Sequence, residues 1–469
     1  MDRICAYWLT SNTRPHPKLE KRVKRLAFYL PWILSLLAGG VSMSAQERPP
    51  IVIKPSLAEE VHVAAAEFQP KNRQQISQEL TAALTALNAA LWEDLKFAGW
   101  FTLENKSLYP ASPISEPDQI KFAEWKSSPL AVDFLAIGNA RTQGKEIIVE
   151  ARLYDIKTQA QVVGKKYTAT LDKIRGVAHS FADEIVYYLT AGASKGVSST
   201  QIAFVSKRTG RKEIFTMDYD GHNQRAFTSD QDINITPAWS ADSSRIAYTS
   251  WRTRYPEINI KTVLGGVRHS FPSFRSMASS PDFSSDGKSI AFSARSPETG
   301  FANLYVASAD GSRRVNITSS SSVDTSPSWS PTGRQIAFVS DRTGPPELYI
   351  IDADGSNLRR LTAEGGSSDS PDWSPDGRYI AFTWRPKQQP SFDIYLYDLT
   401  NARMFQLTSN SRNNENPAWA PDGRHLAFQS NRDGTDQIYV MVSDGTGVRK
   451  LTNGGGSNEA PAWCGYPPK

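Results

Sequence analysis

Pro371-Asp372-Trp373-Ser374-Pro375-Asp376-Gly377-Arg378-Tyr379-Ile380-Ala381-Phe382 decides the fold of this 469-residue chain, because it recurs with small changes from residue 237 to the C-terminus. Its aromatic stands at Trp239, Phe283, Trp329, Trp373, Trp419 and Trp463, so successive copies lie 44, 46, 44, 46 and 44 residues apart. A repeat of about 40 to 50 residues built from several short strands is the signature of a β-propeller.

Within one copy, four strands can be read. In the blade that carries Trp373, the fifth, Ser370–Ser374 is the first, and Ser374-Pro375-Asp376-Gly377 puts Pro second and Gly fourth in a type I turn that folds the chain back as a hairpin. The second strand sets Ile380 and Phe382 against Ala381, and its triplet returns at Ile202, Ile246, Ile290, Ile336 and Leu426. Large side chains on one face and a small one on the other suit a sheet pressed between two neighbours. Ile394-Tyr395-Leu396 forms the third strand and the fourth ends at Leu407-Thr408. The Asp-Gly pairs between third and fourth strands (Asp220-Gly221, Asp310-Gly311, Asp354-Gly355, Asp444-Gly445) read as hairpin turns, since a calcium loop needs a third carboxylate and a distant Glu that no copy supplies. A proline before each aromatic belongs on an edge strand, which in a propeller is the innermost one, facing the channel.

The ring count follows from two orphans. Ile202–Phe204 has no Pro-x-Trp strand ahead of it, and Pro461-Ala462-Trp463 has no partner behind it. Each completes the other, so six blades are expected, closed by the C-terminal strand with no edge left open.

Ahead of the repeats, residues 1–45 carry seven Lys or Arg and two acids, then an apolar run from Leu26 to Ala38, then small residues up to Ala45. That order is a secretory signal, with a run too short to span a bilayer, and Val23 is an alternative translation start. Without the leader the chain is neutral (46 basic and 46 acidic residues remain), which gives no support to nucleic-acid binding; Arg225, Arg313, Arg359 and Arg449 read as solvated blade faces. Only Cys464 would survive cleavage, excluding a disulfide framework or a cysteine metal site. Ile51-Val52-Ile53 is either a first strand or a recognition segment able to add to a sheet edge.

Val61–Phe68 reads as a strand, and Leu80, Leu84, Leu87, Leu91 and Leu95 mark the buried stripe of a helix over 74–97. Strands are expected at 101–103, 132–138, 147–154 and 162–168, then a second helix capped by Asp172, with both helices on one sheet face. The expected organisation is therefore two-domain: signal peptide 1–45, partner-binding segment 46–55, α/β domain 56–190, flexible linker 191–200 and an all-β six-bladed propeller 201–469. Gly192-Ala193-Ser194-Lys195-Gly196 matches a nucleophile elbow, but a helix ends there where a strand should, so the linker reading stands.

Taken together, the leader, the α/β domain and six Pro-x-Trp-Ser-Pro-Asp-Gly-x-x-Ile-Ala-Phe blades resemble the TolB family, the periplasmic propellers of the Tol-Pal system. Arg152-Leu153-Tyr154-Asp155, the helix from Ala178-His179 to Leu189 leading into Gln201-Ile202-Ala203-Phe204, and Asp218-Tyr219-Asp220-Gly221-His222-Asn223 carry the likeness. The resemblance implies a non-enzymatic, monomeric periplasmic protein without cofactor. It would work between inner-membrane TolA and the outer-membrane lipoprotein Pal, in outer-membrane constriction at division and in envelope integrity. It further implies TolA binding by Glu47, Arg48, Ile51, Val52 and Ile53. Pal would bind loops leading into the Pro-x-Trp strands, at Met277, Ser279, Ser280, Thr325 and Ser326, with Met277 where the family often has an ionisable residue.

Independently of that likeness, Asp369, Glu415 and Glu459 each stand two before the Pro in successive blades. They form either an acidic arc at the channel mouth that attracts a basic partner or cation, or a solvated rim. The competing class is a periplasmic hydrolase. The residues just before each Pro, namely Thr236, Ser280, Ser326, Ser370, Asn416 and Ala460, offer no ligands for a catalytic metal, and His16, His62, His179, His222, His269 and His425 are scattered singly. The chain ends three residues past Tyr466, with no room for a peptidase domain.

Overall fold

Alternation along the first strands decides how the N-terminal sheet is buried. In the computed structural model, which describes residues 60–466 except 75, 128 and 275 and only the backbone at 270, Val63 and Ala65 of β1 (His62–Ala65) face one core while Ala64 faces another. The expected leader and the segment with Glu47, Arg48, Ile51, Val52 and Ile53 lie outside the described residues. β2 (Gln69–Pro70) and β3 (Thr102–Leu103) are short; β4 (Phe134–Gln143), β5 (Glu146–Asp155) and β6 (Gln161–Ala169) form an antiparallel meander. The sheet order is β3-β1-β4-β5-β6, with β1 parallel to both neighbours and β2 parallel to β4.

Helix α1 (Gln78–Ala98) starts where Ser77 Oγ accepts the Leu80 amide at 3.1 Å and stops at Gly99, whose φ of 62° is the usual left-handed stop. It shares one face of the sheet with the helix Ile174–Leu189, as the stripe Leu80, Leu84, Leu87, Leu91 and Leu95 indicated. The opposite face, including Leu135 and Ile137, is covered by Ile114, Ile120, Leu130 and Trp125 of α2 (Phe122–Lys126). Lacking helical or strand periodicity, that cover was not foreseen from sequence. Asp172 does not cap the second helix, here α3 (Ile174–Leu189): it sits in a 3-10 turn at 171–173, and the N-cap Lys173 makes no side-chain cap.

After α3 the chain is pinned instead of loose, which corrects the flexible-linker expectation. Asp183 accepts the Ser198 and Ser199 amides, both at 2.9 Å, and Ser194, Gly196, Val197 and Ser198 are buried. Any Cβ at Gly196 would lie 2.1 Å from the Asp183 carboxylate, at a φ of 76°. Ser194 of the elbow-like pattern is 4% exposed and its Oγ accepts the Gly196 amide, so it is structural.

Six four-stranded antiparallel sheets follow among the described residues. Blade 5 shows the pattern: Ser367–Trp373, Tyr379–Arg385, Asp393–Asp398 and Arg403–Gln406, from channel to rim. Blade 1 is composite. Asn458–Trp463 pairs with Gln201–Ser206, Trp463 opposite Ile202, in the register that sets Trp373 opposite Ile380. The Asp-Gly segments are hairpins, as in blade 4 where the Gly355 amide donates to Asp352 O at 2.8 Å.

Blade-to-blade packing explains the large-small-large triplet. Ala337 of blade 4 packs against Trp373, Ile380 and Phe382 of blade 5, and Ala427 of blade 6 against Trp463, Ile202 and Phe204 of blade 1. Ala337→Leu is expected to cost about 1–3 kcal/mol by overpacking a fully buried site. Urea unfolding checks this, and no loss of stability would mean the blades are not close-packed there.

Candidate partner-binding face

Each strand crosses the thickness of a blade, so the residues at the start of an inner strand lie on one face of the ring and its Trp end on the other. In every blade the register slips just before the proline, as between Asp369 and Asp372 or Glu415 and Ala418. The slip is a β-bulge. The residue before the proline is left-handed each time: Thr236 (φ 49°), Ser280 (52°), Ser326 (52°), Ser370 (47°), Asn416 (53°) and Ala460 (47°). None is glycine, and such residues cost about 1–3 kcal/mol each. Sequence shows only that these six positions lack metal ligands; their shared left-handed backbone appears only in three dimensions.

Side chains hold this ring in place from blade to blade. The Ser280 amide donates to Thr249 Oγ1 at 3.0 Å and the Asn416 amide to Thr383 Oγ1 at 2.9 Å. Ser326 Oγ donates to Asp369 Oδ1 at 3.3 Å, Ser370 Oγ to Asn416 Oδ1 at 2.7 Å, and the Ala460 amide to Gln429 Oε1 at 3.1 Å. Met277, Ser279 and Thr325 are half-buried at the same mouth, with Met277 O accepting the Arg295 amide at 3.0 Å.

The three carboxylates two before the prolines differ in state. Glu415 is 6% exposed and pushed up to about 7, mainly by burial, with Asp436, Asp369 and Glu459 adding to it. Asp369 is also raised, by burial against the opposing hydrogen bonds of Ser370 and Ser326. Glu459 goes the other way: its burial is outweighed by Lys212, Ser457 and Lys207, and Lys212 is its ion-pair partner. The arrangement is therefore neither a solvated rim nor a row of three open charges.

Two further carboxylates enter the channel, a cavity of about 510 Å³ walled by the inner strands. Asp282 accepts the Trp329 amide at 2.7 Å and Asp372 the Trp419 amide at 2.6 Å; burial pushes both up to about 7, and Asp372 also feels Asp282. Sequence reasoning passed over them, although Asp between Pro and the aromatic in only two of six copies was visible.

On the opposite face sits the α/β domain, against blades 6 and 1. His425 Nε2 donates to Phe97 O at 3.0 Å and Arg424 to Gly99 O at 2.7 Å, so the blade 6 turn caps the C-terminus of α1. Arg449 lies 4.8 Å above the Phe97 ring and His425 stacks on it at 4.1 Å. Arg449 is thus a junction residue and not a solvated blade face, and His179 and His425, far apart in sequence, meet the same junction. The mouth bearing Met277, Thr325 and Asp369, each half-buried, lies at the other end of the inner strands.

Among the described residues no helix is long and apolar enough to cross a membrane. The TolB beta propeller domain matches residues 188–392 and 366–466, and the TolB amino-terminal domain matches residues 49–162. Protein TolB homolog of Chlorobium chlorochromatii is 33% identical over 251 residues, 53% of this chain and 55% of that one. Tol-Pal system protein TolB of Anaeromyxobacter dehalogenans strain 2CP-C is 35% identical over 295 residues, 62% of this chain and 65% of that one, so each alignment spans under two thirds of the relative's length. The crystal structure of TolB from Acinetobacter baumannii superposes with a TM-score of 0.73 at 25% identity, covering 90% of this chain and 98% of that one. With both domain families matched in chain order and the six-bladed architecture shared, the chain belongs to the TolB family of β-propeller proteins.

Proposed function

We propose that this chain is a non-enzymatic docking hub of a Tol-Pal system, exported to the periplasm by residues 1–45. It would link an inner-membrane TolA-like protein to an outer-membrane Pal-like lipoprotein, in outer-membrane invagination at division and in envelope integrity. The observation that carries the reading is the propeller mouth opposite the α/β domain, ringed by six left-handed non-glycine residues. Backbone strain of this kind persists only where the surroundings over-determine it, and it clusters at ligand clamps and switch regions. Met277, Ser279, Ser280, Thr325, Ser326 and Asp369 form the lipoprotein side of this reading, with Glu415 and Glu459 shaping the mouth. Glu47, Arg48, Ile51, Val52 and Ile53 serve the TolA-like partner as an extended segment.

A pull-down with mature protein and with a form lacking residues 46–55 separates the two contacts. Loss of the TolA-like partner with the lipoprotein retained is the expected result. Changing Asp369, Glu415 and Glu459 together to Ser is expected to weaken lipoprotein binding about tenfold or more by reshaping the mouth. Unchanged affinity in that variant would remove the three residues from the interface, and binding of neither partner by the intact chain would sink the hub reading.

A further inference from the structure

The junction between α/β domain and propeller contains a circuit that crosses between them twice. Tyr219 Oη of the blade 1 hairpin donates to Asp94 Oδ1 of α1 at 2.6 Å. Asp94 Oδ2 meets His179 Nδ1 of α3 at 2.8 Å, and His179 Nε2 points back at Asp220 Oδ2 of the same hairpin at 3.9 Å. His179 is 4% exposed and its Nε2 is buried without a hydrogen-bond partner. With one proton, on Nδ1 toward Asp94, the ring presents a lone pair to a carboxylate. With two, Nε2–H faces that carboxylate and closes an ion pair across the junction.

We infer that His179 is a proton-dependent fastener between the two domains: doubly protonated it bridges Asp94 to Asp220 and clamps the α/β domain to the propeller, and on losing a proton it releases that clamp.

Several charged groups face the ring. Asp94 comes from α1; Arg175 and Asp183 lie on α3 itself; Tyr219, Asp220 and His222 come from the blade 1 hairpin, and Arg449 from blade 6 lies 5.9 Å from the Tyr219 ring. Burial alone would lower the imidazole. The hydrogen bond and charge of Asp94, then the charge of Asp220, outweigh burial and Arg175, and the ring is held above the ordinary histidine value. Asp94 is raised as well, by burial above all, so the pair as a unit retains its shared proton. Asp94 belongs to the same domain as His179 and raises it docked or undocked, so only the share from Asp220 is linked to docking: it favours the docked state at low pH and is lost as pH rises through the docked value.

Asp94, His179 and Asp220 each bring a ligand atom within 4.8 Å of the others, a spacing a divalent cation also accepts. Yet both Asp94 oxygens already accept hydrogen bonds, and the Arg175 guanidinium is paired with Asp220. A proton fits that charge balance where a dication does not.

Trypsin cleavage at the exposed Lys195, in the pinned segment joining the domains, reads the clamp in the intact chain. Rates are normalised to a synthetic peptide of residues 190–200 at each pH. In the wild type the relative rate is expected to rise at least about fivefold from pH 6 to pH 9, the lower end of coupling between sites. His179→Gln and Asp220→Asn are expected to be cut at the high rate throughout, changing less than twofold, while circular dichroism shows them folded. A pH-independent wild type, or a His179→Gln protein keeping the wild-type profile, overturns the inference. So does protection at pH 8 that appears only with added Zn²⁺. Should His179→Gln fail to fold, the wild-type profile with Asp220→Asn decides.

Discussion

Trp463→Ala is expected to lower the unfolding free energy by about 3–5 kcal/mol, the range for deleting a large buried aromatic. The indole is 8% exposed, packs with Ile202, Phe204 and Ala427, and donates from Nε1 to Thr200 Oγ1 at 2.8 Å. Its strand has no covalent continuation into the blade it completes. It is held by its ladder to Gln201–Ser206 and by flanking contacts: the Cys464 amide to Gln201 O at 2.9 Å, and Trp239 Nε1 to Ala462 O at 3.1 Å. Loosening it exposes an open strand edge at the ring's seam, so the variant should also aggregate on mild heating. Urea unfolding followed by circular dichroism measures the loss. A change below about 1 kcal/mol would show that the C-terminal strand is not the ring's fastener.

Glu415→Gln carries the second large effect, and its sign depends on pH. Glu415 is an acid whose folded-state value is raised from 4.5 to about 7, mainly by burial. The folded protein then holds a proton that the unfolded chain releases, so stability is fully present below the ordinary glutamate range and falls as pH climbs through about 7. The shift, about 7 minus 4.5, converts at about 1.4 kcal/mol per pKa unit to a contribution on the order of 3 kcal/mol. Gln keeps the shape but cannot ionise. Wild type should therefore lose stability relative to the variant between pH 4.5 and 8, and the variant should be the more stable at pH 8. Parallel urea titrations at both values test it, and equal pH slopes for the two proteins would mean that Glu415 stays solvated.

Much of this was legible beforehand because it is periodic. The Trp-to-Ile register, the Asp-Gly hairpins and the composite first blade each follow from residues repeating at a fixed spacing, and so does the leucine stripe of α1. Segments without a period resisted reading: the cover of Ile114, Ile120 and Trp125 over the second sheet face, and the pinning of residues 194–199 by Asp183. The candidate face was legible in position but not in state. Sequence spacing aligned Asp369, Glu415 and Glu459, whereas burial and Lys212 decide that Glu415 resists ionisation and Glu459 does not.

Sequence alone determined the number of blades, their strand order and the closure by the chain's own end. Those depend on local turns and on alternating side-chain size, both written residue by residue. Tertiary structure alone decided what meets at the domain junction and how the channel mouth is charged. Asp94, His179, Tyr219 and His425 come from elements more than a hundred residues apart at the extremes, and the proton affinity of a buried group is set by neighbours that no local spacing reveals.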